Sequence, residues 1–379
     1  MTRAVIVACA ALLAYAQLGY GLLLAALARV LPLPRPVAEP DPSAELPRVA
    51  LIVAAHDEAA VIEAKLRNAG DLDYPRDRLE IVVASDGSTD DTVARAKAAG
   101  ADLVLDLPWG GKVRAQDAAV DAVAGRADLL AFGDANALWE RDALRVLVAA
   151  FEDPDVGYAC GQVAFVNTAG TNQEGLYWRY EMALRAMESR LHAVTGGNGA
   201  IYAVRPGAYL RVDEVMGHDL SFPFQIVKNG MRAVYVPEAR ATEKMVPSIE
   251  GEWARKRRMM SHAWPIVLKA GMLSPRGYPP RYALMIASHR VLRYAGPFLH
   301  VALLAAGLLR RRRAGRADRA LLLAQLLLLA GAAAGGRVRL KPLLVARYYV
   351  LTQASIAMGL WDWARHGTPA GWSAPEGTR

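Results

Sequence analysis

Residues 49–58 read VALIVAAHDE, residues 79–91 read LEIVVASDGSTDD, and residues 128–136 read DLLAFGDAN. Each stretch is a short, unbroken apolar run that gives way to polar and acidic residues. A run of that length without alternation fits a strand buried on both faces. Strands are predicted over Val49 to Ala54, Leu79 to Ala84 and Asp128 to Phe132, with a shorter one over Leu103 to Leu107. Helical patterns fill the gaps at Glu58 to Ala69, Asp90 to Ala99 and Val113 to Val123. Strands alternating with helices predict an α/β fold around a mainly parallel sheet covered on both faces.

The tails of these strands are His56-Asp57-Glu58, Ser85-Asp86-Gly87-Ser88-Thr89-Asp90-Asp91 and Gly133-Asp134-Ala135-Asn136. Ligands of open α/β sheets bind beyond the carboxyl ends of strands, so the three tails should meet in one crevice. Carboxylates crowded there repel one another, and a hard divalent cation with oxygen ligands offsets that repulsion. Each tail alone has a plainer reading. Asp, Ser and Gly favour turns and helix caps, a lone His56 can be structural, and Asp134 can cap the next helix. Their joint occurrence at successive strand ends favours a ligand site. No Gly-x-x-x-x-Gly-Lys-Ser/Thr loop occurs, nor a Gly-x-Gly-x-x-Gly after the first strand, which argues against a P-loop ATPase and a nicotinamide enzyme. Gly110-Gly111-Lys112 before a helix is a weak phosphate cue, because glycines admit close approach and a helix start favours anions.

The chain has 379 residues, 54% of them hydrophobic, above the range of a soluble domain, and the excess sits at the two ends. Residues 4–28 are apolar or small apart from Gln17, about the length that spans a bilayer and longer than the apolar core of a secretory signal. Ala26-Leu27-Ala28 nevertheless resembles a cleavage site. Arg29 and Arg35 follow the span against a lone Arg3 before it. That bias predicts that the next domain lies in the cytoplasm, and with the C-terminal apolar stretches the expectation is a multi-pass protein of the cell (inner) membrane.

Three further apolar stretches run from Tyr294 to Leu309, Ala320 to Ala334 and Leu343 to Leu360. Arg310-Arg311-Arg312-Arg313, Arg316 and Arg319 lie between the first two, breaking the positive-inside rule if Leu309 ends an outward span; one stretch can instead lie in the interface. The net charge of +8 reads as juxtamembrane. No aromatic and basic interleaving points to nucleic acid. Cys9 and Cys160 make no disulfide framework, and six prolines in 32–47 make a stiff linker.

In this order the residues resemble the inverting glycosyltransferases of family 2, which have a GT-A fold (Rossmann-like, with a mixed, mainly parallel sheet). The similar stretch runs from about Val49 to Met260. Membrane-bound members of the cellulose synthase and poly-N-acetylglucosamine synthase-like group are similar at both ends as well. The resemblance implies that Ala54, His56 and Glu58 cradle the nucleotide, Asp86 contacts the base, and Lys112 lies near the diphosphate. Asp134 and Asn136 match the Asp-x-Asp motif that holds a divalent metal, Mg2+ or Mn2+, and the donor phosphates. Gly197, Asn198 and Gly199, within Thr195-Gly196-Gly197-Asn198-Gly199, match the segment beside the acceptor. Asp219 matches the catalytic base, and Arg258 keeps one position of a Gln-x-x-Arg-Trp motif.

Two departures carry weight. Asn136 replaces the second aspartate of Asp-x-Asp and gives a cation less charge. Arg255 and Met259 replace the Gln and Trp tied to processive polymer synthesis, which favours single-sugar transfer. The implied activity is that of a hexosyltransferase taking a sugar from a nucleotide donor, UDP being the commonest carrier, to a lipid-linked or glycan acceptor with inversion. His218, beside Asp219, is the weaker candidate for the base.

The implied organisation is an N-terminal transmembrane anchor (1–31), a Pro-rich linker (32–47), the GT-A domain (48–245), an amphipathic interfacial region (246–292), C-terminal transmembrane or interfacial helices (293–364) and a tail (365–379). Later elements are predicted as helices over Gln173 to Arg190, Phe222 to Gly230 and Ser248 to Ala270, and a strand over Arg232 to Pro237. Trp178 and Tyr180 are candidates for stacking on an acceptor sugar or for core packing. The rival readings are a processive polysaccharide synthase of the same family, a sugar-phosphate nucleotidyltransferase, and a catalytically inactive membrane scaffold. A nucleotidyltransferase usually has a glycine-rich loop where this chain has His-Asp-Glu, and only Asn136 favours a scaffold.

Overall fold

A computed structural model describes residues 2–38, 40, 45–166, 175–244 and 249–371. Pro42, Gln173 and Ser248 lie outside the described residues. The predicted strands appear as β1 (Val49–Ala55), β2 (Leu79–Asp86), β3 (Leu103–Leu107) and β4 (Leu129–Asp134), and are joined by β5 (Leu138–Trp139), β6 (Val156–Val166), β7 (Ile201–Val204) and β8 (Arg232–Lys244). They form one eight-stranded sheet in the order β3-β2-β1-β4-β7-β6-β8-β5. The first half is parallel as expected. In the second half β7 runs antiparallel to β4 and β6, β5 runs antiparallel to β8, and β6 pairs parallel with β8. The sheet is therefore mixed and mainly parallel, with helices around it, which is the GT-A arrangement.

The unbroken apolar runs are explained by burial on both faces. Every residue of β1 is buried. Ala50, Ile52, Val82, Ala84, Leu130 and Phe132 enter one core cluster. Val49, Leu51, Val53, Ile81, Val83, Leu129 and Ala131 enter the other, as the period of two along a strand requires. Register then aligns the chemistry. Ala54 pairs with Ala84 on one side and Asp134 on the other, so the polar tails of β1, β2 and β4 leave the sheet at one level.

Helices α1 (Thr2–Val30), α2 (Ile62–Gly70), α3 (Thr92–Ala98), α4 (Lys112–Ala122), α5 (Ala143–Ala149), α6 (Gly175–Leu191), α7 (His218–Lys228) and α8 (Ile249–Lys269) precede a C-terminal group of three. These are α9 (Pro280–Arg313), α10 (Arg316–Ala334) and α11 (Lys341–His366), and together with α1 they are four helices long and apolar enough to cross a membrane. Helices α1 and α9 pack antiparallel. Ile6, Cys9 and Leu13 meet Leu303 and Ala306 at one end, and Tyr15 Oη meets Ser288 Oγ at 2.8 Å near the other. In the second half of α1, Tyr20 and Leu24 are buried in a core cluster that also holds residues of the sheet.

All four helices contribute to a polar chain. His300 Nδ1 donates to Gln325 Oε1 (2.9 Å), His300 Nε2 meets Tyr349 Oη (2.8 Å), and Gln17 Nε2 reaches Tyr349 Oη (3.4 Å). In an apolar bundle such bonds hold helices together. By the same antiparallel packing, Arg310 to Arg313 share an end with Arg3, away from the α/β domain. Arg310 is paired there with Asp318 (3.1 Å). Helix α8 packs along α11. Trp264 Nε1 donates to the Ile356 carbonyl (2.9 Å), and Arg257 pairs with Asp362 (2.6 Å).

Candidate active site

The β1 and β2 tails are stitched together. His56 Nδ1 donates to the Asp86 carbonyl oxygen (2.6 Å). The Asp57 amide donates to Ser88 Oγ (3.1 Å), and Asp57 Oδ1 accepts from the Thr89 amide (2.7 Å). Asp57 is the one described non-glycine residue with positive φ, 51°, the left-handed region in which a short polar side chain is best tolerated. Asp90 accepts from the amides of Ala59 and Thr92, both at 3.0 Å. For Asp57 and Asp90 the turn-and-cap reading of the acidic tails is therefore the one the geometry supports. Glu58 and Ala54 are buried.

Asp86 is buried as well, and its carboxylate accepts from the backbone amides of Gly110 (2.7 Å) and Gly111 (2.9 Å). That brace fixes the turn from which α4 departs. Gly111 takes φ +97°, where a side chain is strained. A Cβ there would also stand 2.5 Å from the Ala370 carbonyl oxygen, and one on Gly371 would stand 2.3 Å from the Trp109 ring. The segment after α11 thus lies over the Trp109–Gly111 turn.

The turn delivers Lys112 to the end of β4, where its ammonium pairs with Asp134. Burial opposes the charge on Lys112, but Asp134, with a further contribution from Asp219, outweighs it and raises the ammonium pKa above its ordinary value. Asn136 is half-buried, and its side chain makes no hydrogen bond among the described residues. Two charged residues the sequence reading missed join this corner. Lys65, fully buried on α2, donates to the Ala137 carbonyl (2.7 Å) and lies 5.0 Å over the Trp139 ring. Burial lowers it to about 7 despite Asp134 and Glu243. Glu243, half-buried on β8, is raised to about 7 by burial and then by Asp134, against Lys112, Arg255 and Lys65. A signal for Lys65 did exist: it falls on the apolar face of α2 with Ile62, Leu66 and Ala69. Glu243 gave none, because it is brought in by the pairing of Leu138 with Thr242.

Asp219 sits in the first turn of α7. Its backbone oxygen accepts from the Gly197 amide (2.6 Å), and among the described residues its carboxylate has no hydrogen-bond or ion-pair partner. The glycines of the neighbouring segment are required by close approach. A Cβ on Gly197 would lie 1.9 Å from Tyr158 Oη, and one on Gly196 2.2 Å from an Arg290 nitrogen. Asn198 braces its own turn, accepting from the Ala200 amide (3.1 Å). His218 points the other way. It is buried against Phe222, with ring centroids 4.1 Å apart, and shares a 2.7 Å hydrogen bond with Tyr202 Oη. Burial, and then Lys112, lower its pKa to about 3, so it is a neutral core imidazole. Arg258 on α8 is half-buried, and burial lowers the pKa of His262, one turn further along the helix, with Arg258 lowering and Asp219 raising it. Tyr180 donates to the Gln17 carbonyl (2.8 Å), and Trp178 packs edge-on against Phe165 (5.2 Å). Both therefore serve packing and anchoring of α6.

No three His, Cys, Asp or Glu side chains among the described residues are grouped to hold a metal. The oxygens on offer are those of Asp134, Asn136 and Glu243. That donor set suits a hard cation which keeps water and substrate phosphate as its other ligands, as Mg2+ commonly does.

A family model described as glycosyl transferase family 2 matches residues 50–209, and one described as glycosyl transferase family group 2 matches residues 132–354, more than half of the chain. An N-acetylglucosaminyltransferase of Rhizobium meliloti is 30% identical over 230 residues, covering 54% of this chain and 53% of that protein. A beta-monoglucosyldiacylglycerol synthase of Synechocystis is 33% identical over 163 residues, covering 41% of this chain and 33% of that protein. The chain thus spans about half or less of the length of these curated relatives. Among solved structures, a mannosyltransferase of Pyrobaculum calidifontis in complex with GDP-Man and Mn2+ superposes with a TM-score of 0.74 at 26% identity, covering 97% of this chain and 100% of that one.

Proposed function

We propose the following reaction for this chain, which belongs to glycosyl transferase family 2 and is a glycosyltransferase using a nucleotide-sugar donor. The sugar passes, with inversion at its anomeric carbon, to a hydroxyl of a lipid-linked or glycan acceptor at the cytoplasmic face of a membrane in which α1, α9, α10 and α11 anchor the enzyme. The observation that carries this reading is a juxtaposition. The Lys112–Asp134 pair at the end of β4 lies close enough to Asp219, in the first turn of α7, for the Asp219 charge to act on Lys112, and the Asp219 carboxylate has no hydrogen-bond or ion-pair partner among the described residues.

In the proposed reaction Asp219 takes the acceptor proton as the acceptor oxygen attacks the anomeric carbon, and the bond from that carbon to the diphosphate breaks. General-base transfer needs hydrogen-bond reach, and a carboxylate not engaged elsewhere can provide it. The turn braced by Asp86 and the Lys112 ammonium hold the donor diphosphate, and Arg258 adds positive charge on the acceptor side. Positive charge aimed at the departing oxygen stabilises the transition state. A divalent cation held by Asp134 and Asn136 would supply further charge neutralisation of the diphosphate.

The GDP-mannose bound by the Pyrobaculum mannosyltransferase puts GDP-sugars beside UDP-sugars as donors to try. The Synechocystis synthase makes diacylglycerol a first acceptor class. The deciding experiment is release of nucleoside diphosphate by detergent-purified protein from a panel of UDP- and GDP-sugars, with Mn2+, Mg2+ or chelator. Metal-dependent release from one donor, lost in Asp134→Ala, supports the reading. Failure to release or to bind any donor overturns it.

A further inference from the structure

Behind the acceptor-side glycines lies a buried polar cluster assembled from four parts of the chain. Glu188 of α6 is almost wholly buried. It accepts from Tyr20 Oη of α1 (2.6 Å), from His289 Nδ1 of α9 (2.7 Å), and from the Thr195 amide (3.1 Å) and hydroxyl (3.0 Å). Thr195 Oγ1 in turn accepts from Arg290 Nε (2.9 Å), which also reaches the Thr195 carbonyl (3.1 Å). Glu181 of α6 continues the cluster, with His289 Nε2 at 3.4 Å and a pairing with Arg293. Nearby, Tyr282 Oη donates to the Val194 carbonyl (2.9 Å).

Two features single this cluster out. Both membrane-reaching helices depart from α-geometry where they join it. Tyr15–Gly19 of α1 and Ile286–Val291 of α9 are wide π turns, bonded to each other through Tyr15 and Ser288. Such turns are rare and occur often at functional sites. In addition, burying two carboxylates brings no stability that packed apolar side chains would not bring, whereas it does impose one geometry. That geometry is passed on. Arg290 lies where a Gly196 side chain would be, the Gly197 amide is bonded to the Asp219 carbonyl, and the Asn198 amide reaches Tyr158 Oη (3.3 Å).

We propose that Glu188, Thr195 and Arg290 form a positioning clamp through which the two membrane helices α1 and α9 set the path of Gly196–Gly199 and hence the placement of Asp219 for transfer. The clamp rests on the transferase reading, whose base is Asp219. These are positioning residues: the cluster is reached from the rear of the glycine segment, and none of the bonds named above involves Lys112 or Asp134. The linkage also gives membrane insertion a route to the acceptor side of the site.

The test uses the full chain in nanodiscs and compares Thr195→Val, which keeps the shape and removes the hydroxyl, with Thr195→Ser, which keeps the hydroxyl. Thr195→Val should lower kcat for nucleoside-diphosphate release at least tenfold and leave donor KM within twofold. It should also speed amide exchange over 195–199 and 217–221, with 49–58 and 129–139 unchanged. Thr195→Ser should stay within about threefold of wild type. If Thr195→Val does not fold, Arg290→Lys, which keeps the charge and loses the paired Nε bonds, is read in the same way. Wild-type kcat in these variants, or a parallel loss of donor affinity, overturns the clamp. Wild-type protein that turns over no donor while the exchange pattern holds would instead sink the transferase reading and leave the clamp as architecture.

Discussion

Replacing Asp219 by Asn changes one atom and removes the carboxylate that, among the described residues, has no hydrogen-bond or ion-pair partner and is the proposed base. The Gly197 amide bonds the backbone oxygen of Asp219 at 2.6 Å, and the substitution leaves that bond in place, so the glycine segment should not move. A positioned general base contributes about 10²–10⁴ in rate, which is roughly 3–5.5 kcal/mol at about 1.36 kcal/mol per tenfold. The cost in stability is far smaller. Asp219 lies in the first turn of α7, where a negative charge is worth about 0.3–1 kcal/mol, a Tm change of at most about 4 °C in a chain this large. Asp219→Asn should therefore lose about three orders of magnitude in turnover, within that range, while donor affinity by titration calorimetry stays within a few-fold of wild type. Turnover above a tenth of wild type would refute the assignment of the base. A tenfold loss of donor affinity would place Asp219 in donor binding instead.

Lys112→Met, which leaves Asp134 unpaired, should lower nucleoside-diphosphate release by about 10²–10³, the usual loss when one stabilising donor is removed, as initial rates would show. Asn136→Asp restores a second carboxylate and should tighten Mn2+ binding, read by paramagnetic resonance of the free ion without turnover. Lys65 supplies a pH dependence of stability. Its folded pKa of about 7 lies below its ordinary value of 10.5, so between those values the unfolded chain holds the proton more tightly and stability rises with pH. Lys65→Met should flatten that rise in chemical-denaturation curves from pH 7 to 10. Gly197→Ala drives a methyl into Tyr158 Oη, 1.9 Å away, and overpacking of this kind costs about 1–3 kcal/mol, so Tm should fall as measured by differential scanning fluorimetry.

The parallel half of the sheet was legible in the sequence because a strand buried on both faces must be apolar at every position. Val49–Ala55 meets that condition residue by residue. The strand ends were legible for the same reason, since polarity returns where burial stops. Lys112, Asp134 and Asp219 were nameable from their motif positions; in the fold Lys112 pairs with Asp134 and the Asp219 charge acts on Lys112. The antiparallel strand β7 and the two-residue β5 were not legible. Strands of four and two residues carry too little pattern of their own and exist because longer neighbours offer them partners.

What only the tertiary structure decided is the environment of each charge. Asp57 and Asp90 look like ligands in the sequence and are spent on turns and backbone amides. Lys65 looks like a surface residue and lies beneath the Asp134 corner. Glu188 and Thr195 are close in sequence, yet the partners that fix them, Tyr20, His289 and Arg290, come from positions about 95–175 residues away. Local sequence sets which segments can be helix or strand, because propensity and periodicity act over a few residues. Desolvation and charge pairing depend on whatever chain the fold carries alongside, so a group's chemistry is settled only after distant segments have packed around it.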